Sequence, residues 1–193
     1  PIGAWVVDES IRIFSQWKKD YRIPMILSLN ISAIQYNRDD FVDMILNCLK
    51  KYELDPNFLE LEITESVFIE NFHDVTEKLR LLREYGIKVS LDDFGTGYSN
   101  YGYMRDKIFD IVKVDRSFIT DIDKQRNNYL MVSFIIKMAH EMGLHVCIEG
   151  VETKEELACV RELGADYIQG YYYGKPVCVA DFEEQHLKKL ILG

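Results

Sequence analysis

Asp92 and Asp93 stand side by side at the end of a short apolar run, Val89-Ser90-Leu91, and Gly95-Thr96-Gly97 then carries the chain away from them. Two adjacent carboxylates at the end of a buried strand repel one another and resist desolvation. They are tolerated only where they are exposed, protonated or neutralised by a cation. Taken alone, the pair reads as acids in a turn or capping a helix. Its meaning comes from the ends of the other apolar runs, where Asn30, Glu62, Lys113, Glu149 and Gln169 stand in comparable places. Each has an ordinary structural explanation by itself; a recurrence on every run is harder to explain that way. The four carboxylates Glu62, Asp92, Asp93 and Glu149 against one lysine form an unfavourable cluster that divalent cations would relieve. An oxygen set without Cys or His favours Mg2+ or Mn2+ over zinc. Several carboxylates, one able to bridge, suit a two-metal site that stabilises the attacking and leaving oxygens of phosphoryl displacement. Lys113 also admits a Schiff-base reading, which would need none of these acids. Borohydride trapping with a carbonyl substrate separates the two, and no adduct is expected.

The runs that must position these residues alternate with helical patterns. Strands are expected over Met25–Ile31, Phe58–Thr64, the segment ending in Asp92-Asp93, Ile111–Asp115, His145–Ile148 and Tyr167–Gly170. Period-two alternation marks the second, where Leu59, Leu61 and Ile63 interleave with Glu60, Glu62 and Thr64. Before the first strand, Trp5, Val6, Ile13, Phe14 and Trp17 fall near one helical face. Further helices are expected from about Asp39 to Lys51, from a box-like start at Asp74 and Glu77 to Gly86, and from about Asn128 to Met142. Thr153 and Glu156 make a capping box for the next, and Val179–Leu192 reads as the last. A short helical turn is expected around Tyr101–Met104. This alternation specifies α/β with a parallel sheet, doubly wound or closed into a barrel. In a barrel, the C-terminal strand ends converge on one face that carries the active site.

The 193 residues suffice for one domain with a sizeable core, and the formal net charge of −9 is spread along the chain. That balance argues against a non-specific nucleic-acid or anionic-membrane surface, both of which need a basic patch, while a nucleotide ligand would need local cations. Cys48, Cys147, Cys159 and Cys178 form no CxxC pair and read as buried reduced thiols. With no signal peptide and no apolar run long enough for a bilayer, the chain is expected to be cytoplasmic, although a parent protein could be membrane-anchored. The sequence opens inside a helical pattern without an initiator methionine, as a piece of a longer protein would.

The segments Ser28-Leu29-Asn30-Ile31-Ser32, Leu61-Glu62-Ile63-Thr64-Glu65-Ser66 and Leu91-Asp92-Asp93-Phe94-Gly95-Thr96-Gly97-Tyr98-Ser99 resemble the EAL domain, the bacterial cyclic di-GMP phosphodiesterase. So do Val112-Lys113-Val114-Asp115-Arg116-Ser117-Phe118, Ile148-Glu149-Gly150-Val151-Glu152-Thr153, Gln169-Gly170-Tyr171 and Gly174-Lys175-Pro176, so the likeness spans essentially residues 1–193. The resemblance implies an EAL-type variant of the TIM (β/α)8 barrel. It implies Asn30, Glu62, Asp92 and Asp93 as metal ligands, Asp92 as the bridge, and Glu149 as a ligand that helps activate water. Lys113 would hold that water or the phosphate, Gln169 would contact the site, and Glu65 would steady the loop after Asp93. Asp115 and Glu152 are carried as supporting residues, Glu152 as a helix-start or outer partner. The implied reaction is hydrolysis of cyclic di-GMP to linear pGpG with Mg2+ or Mn2+. A homodimer is implied too, with the loop Gly95–Asn100 placed to couple its surface to the metals, and a sensory or GGDEF-type domain upstream.

The Glu-Ala-Leu signature and the first two strands of the family pattern are absent from this sequence, so the barrel is expected to be incomplete and the 193-residue chain impaired. A catalytically inactive cyclic di-GMP sensor is the competing function; turnover with Mn2+ separates them. Tyr171-Tyr172-Tyr173 is expected to pack at the barrel mouth, with stacking on guanine as the sharper alternative. His73, His140, His145 and His186 match no catalytic position, and Leu130–Met138, more apolar than one core-facing stripe requires, is expected to pack in the core, with a dimer contact as the second reading.

Overall fold

The computed structural model describes residues 2–68, 72–95 and 108–191. The expected strands form as β1 (Leu27–Ile31), β2 (Leu59–Thr64), β3 (Lys88–Phe94), β4 (Ile111–Val114), β5 (His145–Ile148) and β6 (Tyr167–Ile168), all parallel and paired in sequence order. Parallel neighbours need crossovers. Helix α1 (Ile2–Tyr21) precedes β1; α2 (Ala33–Tyr36) and α3 (Phe41–Tyr52) then lead from β1 to β2, α4 (Phe72–Glu84) from β2 to β3, α5 (Arg126–Glu141) from β4 to β5 and α6 (Lys154–Glu162) from β5 to β6.

Strand alternation assigns the two faces of the sheet. Leu29 and Ile31, Leu59, Leu61 and Ile63, Val89 and Leu91, Val112 and Val114, and Val146 and Ile148 are buried in one core with the apolar stripes of the helices. The intervening residues, among them Asn30, Glu62, Asp92 and Lys113, face the other way. The carboxylates are thereby kept out of the helix-covered core.

Several helix expectations need correction. The stripe of α1 that packs is Val7, Ile11 and Phe14, while Trp5 and Val6 are exposed, so the buried face is rotated from the one expected. Helix α4 starts at Phe72, ahead of Asp74. Asp74 instead pairs with Lys78 at 3.2 Å, and Glu77 with Arg80 at 2.7 Å, as ordinary surface neighbours one turn apart. The last helix is not uniform: α7 (Val179–Phe182) passes through a π-turn, Glu183–Leu187, into α8 (Lys188–Ile191). Trp17 stacks on Phe182 at 5.2 Å and donates from Nε1 to Glu183 at 2.6 Å. This terminal stretch therefore closes on α1 in the helical layer.

Among the described residues β1 and β6 do not pair with one another, so the sheet is an incomplete barrel. Beside the free edge of β6 lies a cleft of about 730 Å3, lined by Trp17, Ile168, Gln169, Tyr171, Phe182 and His186 among others. Among the described residues no helix is long and apolar enough to cross a membrane. Thr96–Asn100 and the turn expected at Tyr101–Met104 lie outside the described residues.

Candidate metal centre at the strand ends

Glu62 belongs to the polar set of β2, with Asn30 of β1 and Ser90 of β3 opposite it in register. On β3 the alternation is broken. Leu91 pairs with Val112 and Phe94 with Val114, so Asp92 and Asp93 occupy the space that β4 fills with Lys113 alone. This is a β-bulge, with Asp93 in the left-handed region at φ 56°, where Asp is tolerated better than most residues. A regular strand would turn one of the two acids into the helix-covered core. The extra residue instead returns Phe94 to the core with Leu91, leaving Asp92 buried on the polar side and Asp93 exposed. The Asp93 amide donates to Asp92 Oδ1 at 3.0 Å.

Glu149 follows β5 directly and its amide donates to the carbonyl of Val114 at 3.1 Å. At Gly150, φ is 74° and a Cβ would lie 2.3 Å from Arg116 Cβ, so glycine lets the loops after β4 and β5 touch. Lys113 Nζ then sits 2.5 Å from Glu62 Oε2, 2.7 Å from Glu149 Oε1 and 3.6 Å from Asp92 Oδ1. Oxygens of Glu62, Asp92 and Glu149 all lie within 4.8 Å of one another.

One ammonium cannot offset three carboxylates. Burial pushes Asp92 and Glu149 above the ordinary carboxylate range, and the nearby Lys113 only partly counters it. For Lys113 burial acts downward, but its bonds to Glu149 and Glu62 outweigh it and raise the pKa. The cluster therefore has negative charge to spare, and its all-oxygen donors fit a hard divalent ion.

Sequence reasoning passed over four residues that share this face. Ser28 Oγ donates to Glu62 Oε1 at 2.5 Å, so Glu62 is held at both oxygens. Glu60, Ser90 and Cys147 lie on the same side of the sheet. Burial raises Glu60, and it pushes the Cys147 thiol up to about 12. The available signal was period two: each stands two residues before a residue that had been singled out. Cys48 is buried as expected, but Cys159, on α6, only packs against the rim of the core and is half-buried, and Cys178, in extended backbone just ahead of Val179–Phe182, is exposed.

The other sequence candidates surround the cluster without joining it. Asn30 is exposed on β1, the first strand of the sheet, and Gln169 is exposed one residue beyond β6, along the cleft. Glu65 opens a 3-10 turn, Glu65–Phe68, that packs against β3. Asp115 caps the turn Arg116–Phe118 by accepting from the Ser117 amide at 2.9 Å. Glu152 is exposed and its amide donates into the α6 cap. Tyr171, Tyr172 and Tyr173 are exposed, with Lys175 Nζ 5.4 Å from the Tyr171 ring centre. His140 and His145 both contact Asp166, at 2.8 and 3.4 Å, away from the acids.

A sequence model described as the EAL domain matches residues 1–176. The chain belongs to the EAL domain family. Among its relatives is the "Cyclic di-GMP phosphodiesterase NbdA" of Pseudomonas aeruginosa, 40% identical over 158 residues, which are 82% of this chain and 20% of NbdA. Among solved EAL domain structures, the "PaMucR Phosphodiesterase, c-di-GMP complex" is 31% identical with a TM-score of 0.88, over 94% of this chain and 73% of that one. The "Klebsiella pneumoniae BlrP1 pH 9.0 manganese/cy-diGMP complex" is 26% identical with a TM-score of 0.81, over 90% of this chain and 44% of that one. This EAL domain chain spans about a fifth to a third of the length of the curated relatives it matches.

Proposed function

We propose that the protein carrying this domain hydrolyses cyclic di-GMP to linear pGpG. The observation that carries the reading is the buried convergence of Glu62, Asp92 and Glu149 around Lys113 at the strand ends of an EAL domain. The names of NbdA and of the MucR and BlrP1 complexes support cyclic di-GMP as substrate, and BlrP1 supports Mn2+, with Mg2+ the equivalent hard ion. Glu62, Asp92 and Glu149, with Asn30 and Asp93 at the rim, would hold the metal ions. When bound, these ions supply Lewis-acid stabilisation of the attacking and leaving oxygens.

Hydrolysis requires water to form a new P–O bond while the ribose 3′ oxygen leaves and takes a proton. The Glu149 carboxylate accepts the proton of the attacking water, a role suited by the upward pressure of burial on its pKa. Lys113 Nζ orients Glu149 and Glu62 and offers a cation to the phosphate. Gln169 faces the substrate from beyond β6, Glu65 supports the loop after Asp93, and Asp115 and Glu152 brace their loops. The domain works in the cytoplasm as a homodimer through the exposed Leu130, Met131 and Phe134 of α5. Its domain, residues 1–193, takes its input from an upstream sensory or GGDEF-type domain.

The test is turnover of cyclic di-GMP with Mn2+ by a polypeptide containing the entire domain. Asp92→Asn should abolish pGpG formation; full activity in that variant would sink the metal reading. Tight binding of cyclic di-GMP without turnover by the unmutated protein would instead identify a sensor.

A further inference from the structure

The loops after β4 and β5, which follow Lys113 and carry Glu149, are joined at a buried carboxylate outside the metal centre. Glu156 is the third residue of α6 and 6% exposed. Its Oε2 accepts from the amides of Glu152 at 2.9 Å and Thr153 at 3.0 Å, while Thr153 Oγ1 accepts from the Glu156 amide at 3.2 Å. A capping box ordinarily satisfies donors of its own helix. Here the other oxygen leaves the box: Oε1 accepts at 3.2 Å from the amide of Asp121, in the loop after β4. Asp121 holds φ 55°, an uncommon conformation for a residue with a side chain. It lies just beyond the turn Arg116–Phe118, and Arg116 is the residue that Gly150 abuts. The two loops thus meet at two points, the Gly150–Arg116 contact and the Glu156 carboxylate.

We infer that Glu156 is a positioning residue: its carboxylate fixes the loop after β4 against the loop after β5 and so sets the geometry of Lys113 and Glu149. Three backbone donors hold the carboxylate below its ordinary range despite burial, which keeps both oxygens acceptors at neutral pH. Thr153 shares the box but not the bond to Asp121. A helix cap and a loop joint can therefore be separated.

The activity readout rests on the proposed hydrolysis; two others do not. In the protein containing the entire domain, Glu156→Ala, Glu156→Gln and Thr153→Ala are compared by Mn2+ titration, amide hydrogen exchange and cyclic di-GMP turnover. Thr153→Ala should lower Tm yet leave the half-saturating Mn2+ concentration and kcat within about twofold, and E156A should raise that concentration and lower kcat by about tenfold or more. KM should change little. Exchange at the Asp121 amide should accelerate in E156A and not in Thr153→Ala. Glu156→Gln keeps one acceptor oxygen and should fall between. Values for E156A matching those of Thr153→Ala in all three measurements would overturn the inference. If E156A does not fold, wild-type values in E156Q overturn it equally. Absence of turnover by the unmutated protein refutes the proposed function only, because Mn2+ titration and Asp121 exchange still decide the role of Glu156.

Discussion

Lys113 takes the place among Glu62, Asp92 and Glu149 that electrostatics would assign to a cation, and its side chain is 4% exposed. Removing one partner of a buried ion pair leaves the others uncompensated, at a cost of about 3–5 kcal/mol. Lys113→Ala should lose about that much stability in EDTA and recover more of it on addition of Mn2+ than the unmutated protein gains, as read by thermal unfolding. Equal unfolding temperatures of the two proteins in EDTA would contradict this account. Asp166 gives a separate test by pH. Burial disfavours its charge, but His140, the Val146 amide at 2.7 Å and His145 together bring its pKa below the ordinary 3.8. A carboxylate with a depressed folded pKa contributes stability that is complete above its unfolded pKa and is lost as pH falls through the folded value. Replacing Asp166 with Asn should therefore lower stability at neutral pH and flatten its decline below about pH 4.

At the scale of elements, short contacts between loops decide where strand ends lie. A Cβ on Gly170 would lie 2.2 Å from the carbonyl oxygen of Val151 and 2.4 Å from its nitrogen. Backbone cannot yield as a flexible side chain does. Gly170→Ala should cost about 1–3 kcal/mol in chemical denaturation, the range for overpacking, and displace Gln169. A wild-type midpoint would show that β6 is held less tightly than these distances require. On α5, Leu130, Met131 and Phe134 are about half exposed or more, with Phe134 at 62%, whereas Val132, Ile135, Ile136 and Ala139 supply the buried stripe. For the proposed homodimer, Phe134→Glu should give a monomer in analytical ultracentrifugation with an unchanged circular-dichroism spectrum, and a lower unfolding temperature as the stabilisation by the partner is lost. A dimer that survives would place the contact elsewhere.

For the molecule as a whole, the helical layer closes through Trp17 and Phe182, while among the described residues β1 and β6 each keep an unpaired edge. Asn30 and Gln169 stand on those edges and are exposed. An active-site wall built from free strand edges binds ions and substrate poorly, because its donors are neither desolvated nor held in place. The 193-residue chain should therefore hydrolyse cyclic di-GMP poorly or not at all, whereas a polypeptide supplying the family's Glu-Ala-Leu strand should turn it over with Mn2+. Efficient turnover by the shorter chain would show that six strands suffice.

The sequence by itself determined the parallel α/β architecture and which acids could meet. Period two in Leu59–Thr64 separates Glu60 and Glu62 from the core whatever the strand pairs with, and local steric alternation is enough to decide that. The capping box at Thr153 and Glu156 was legible for the same reason, being contained within one turn. The bond from Glu156 to Asp121 was not, since it depends on a segment 35 residues away in sequence. Tertiary structure also decided the meaning of Asp92 and Asp93. Adjacent residues on a regular strand point to opposite faces, so the sequence alone placed one of them in conflict with the core. Pairing with β4, where Lys113 alone lies opposite the two acids, creates the bulge that removes the conflict and brings Asp92 within 3.6 Å of the Lys113 ammonium.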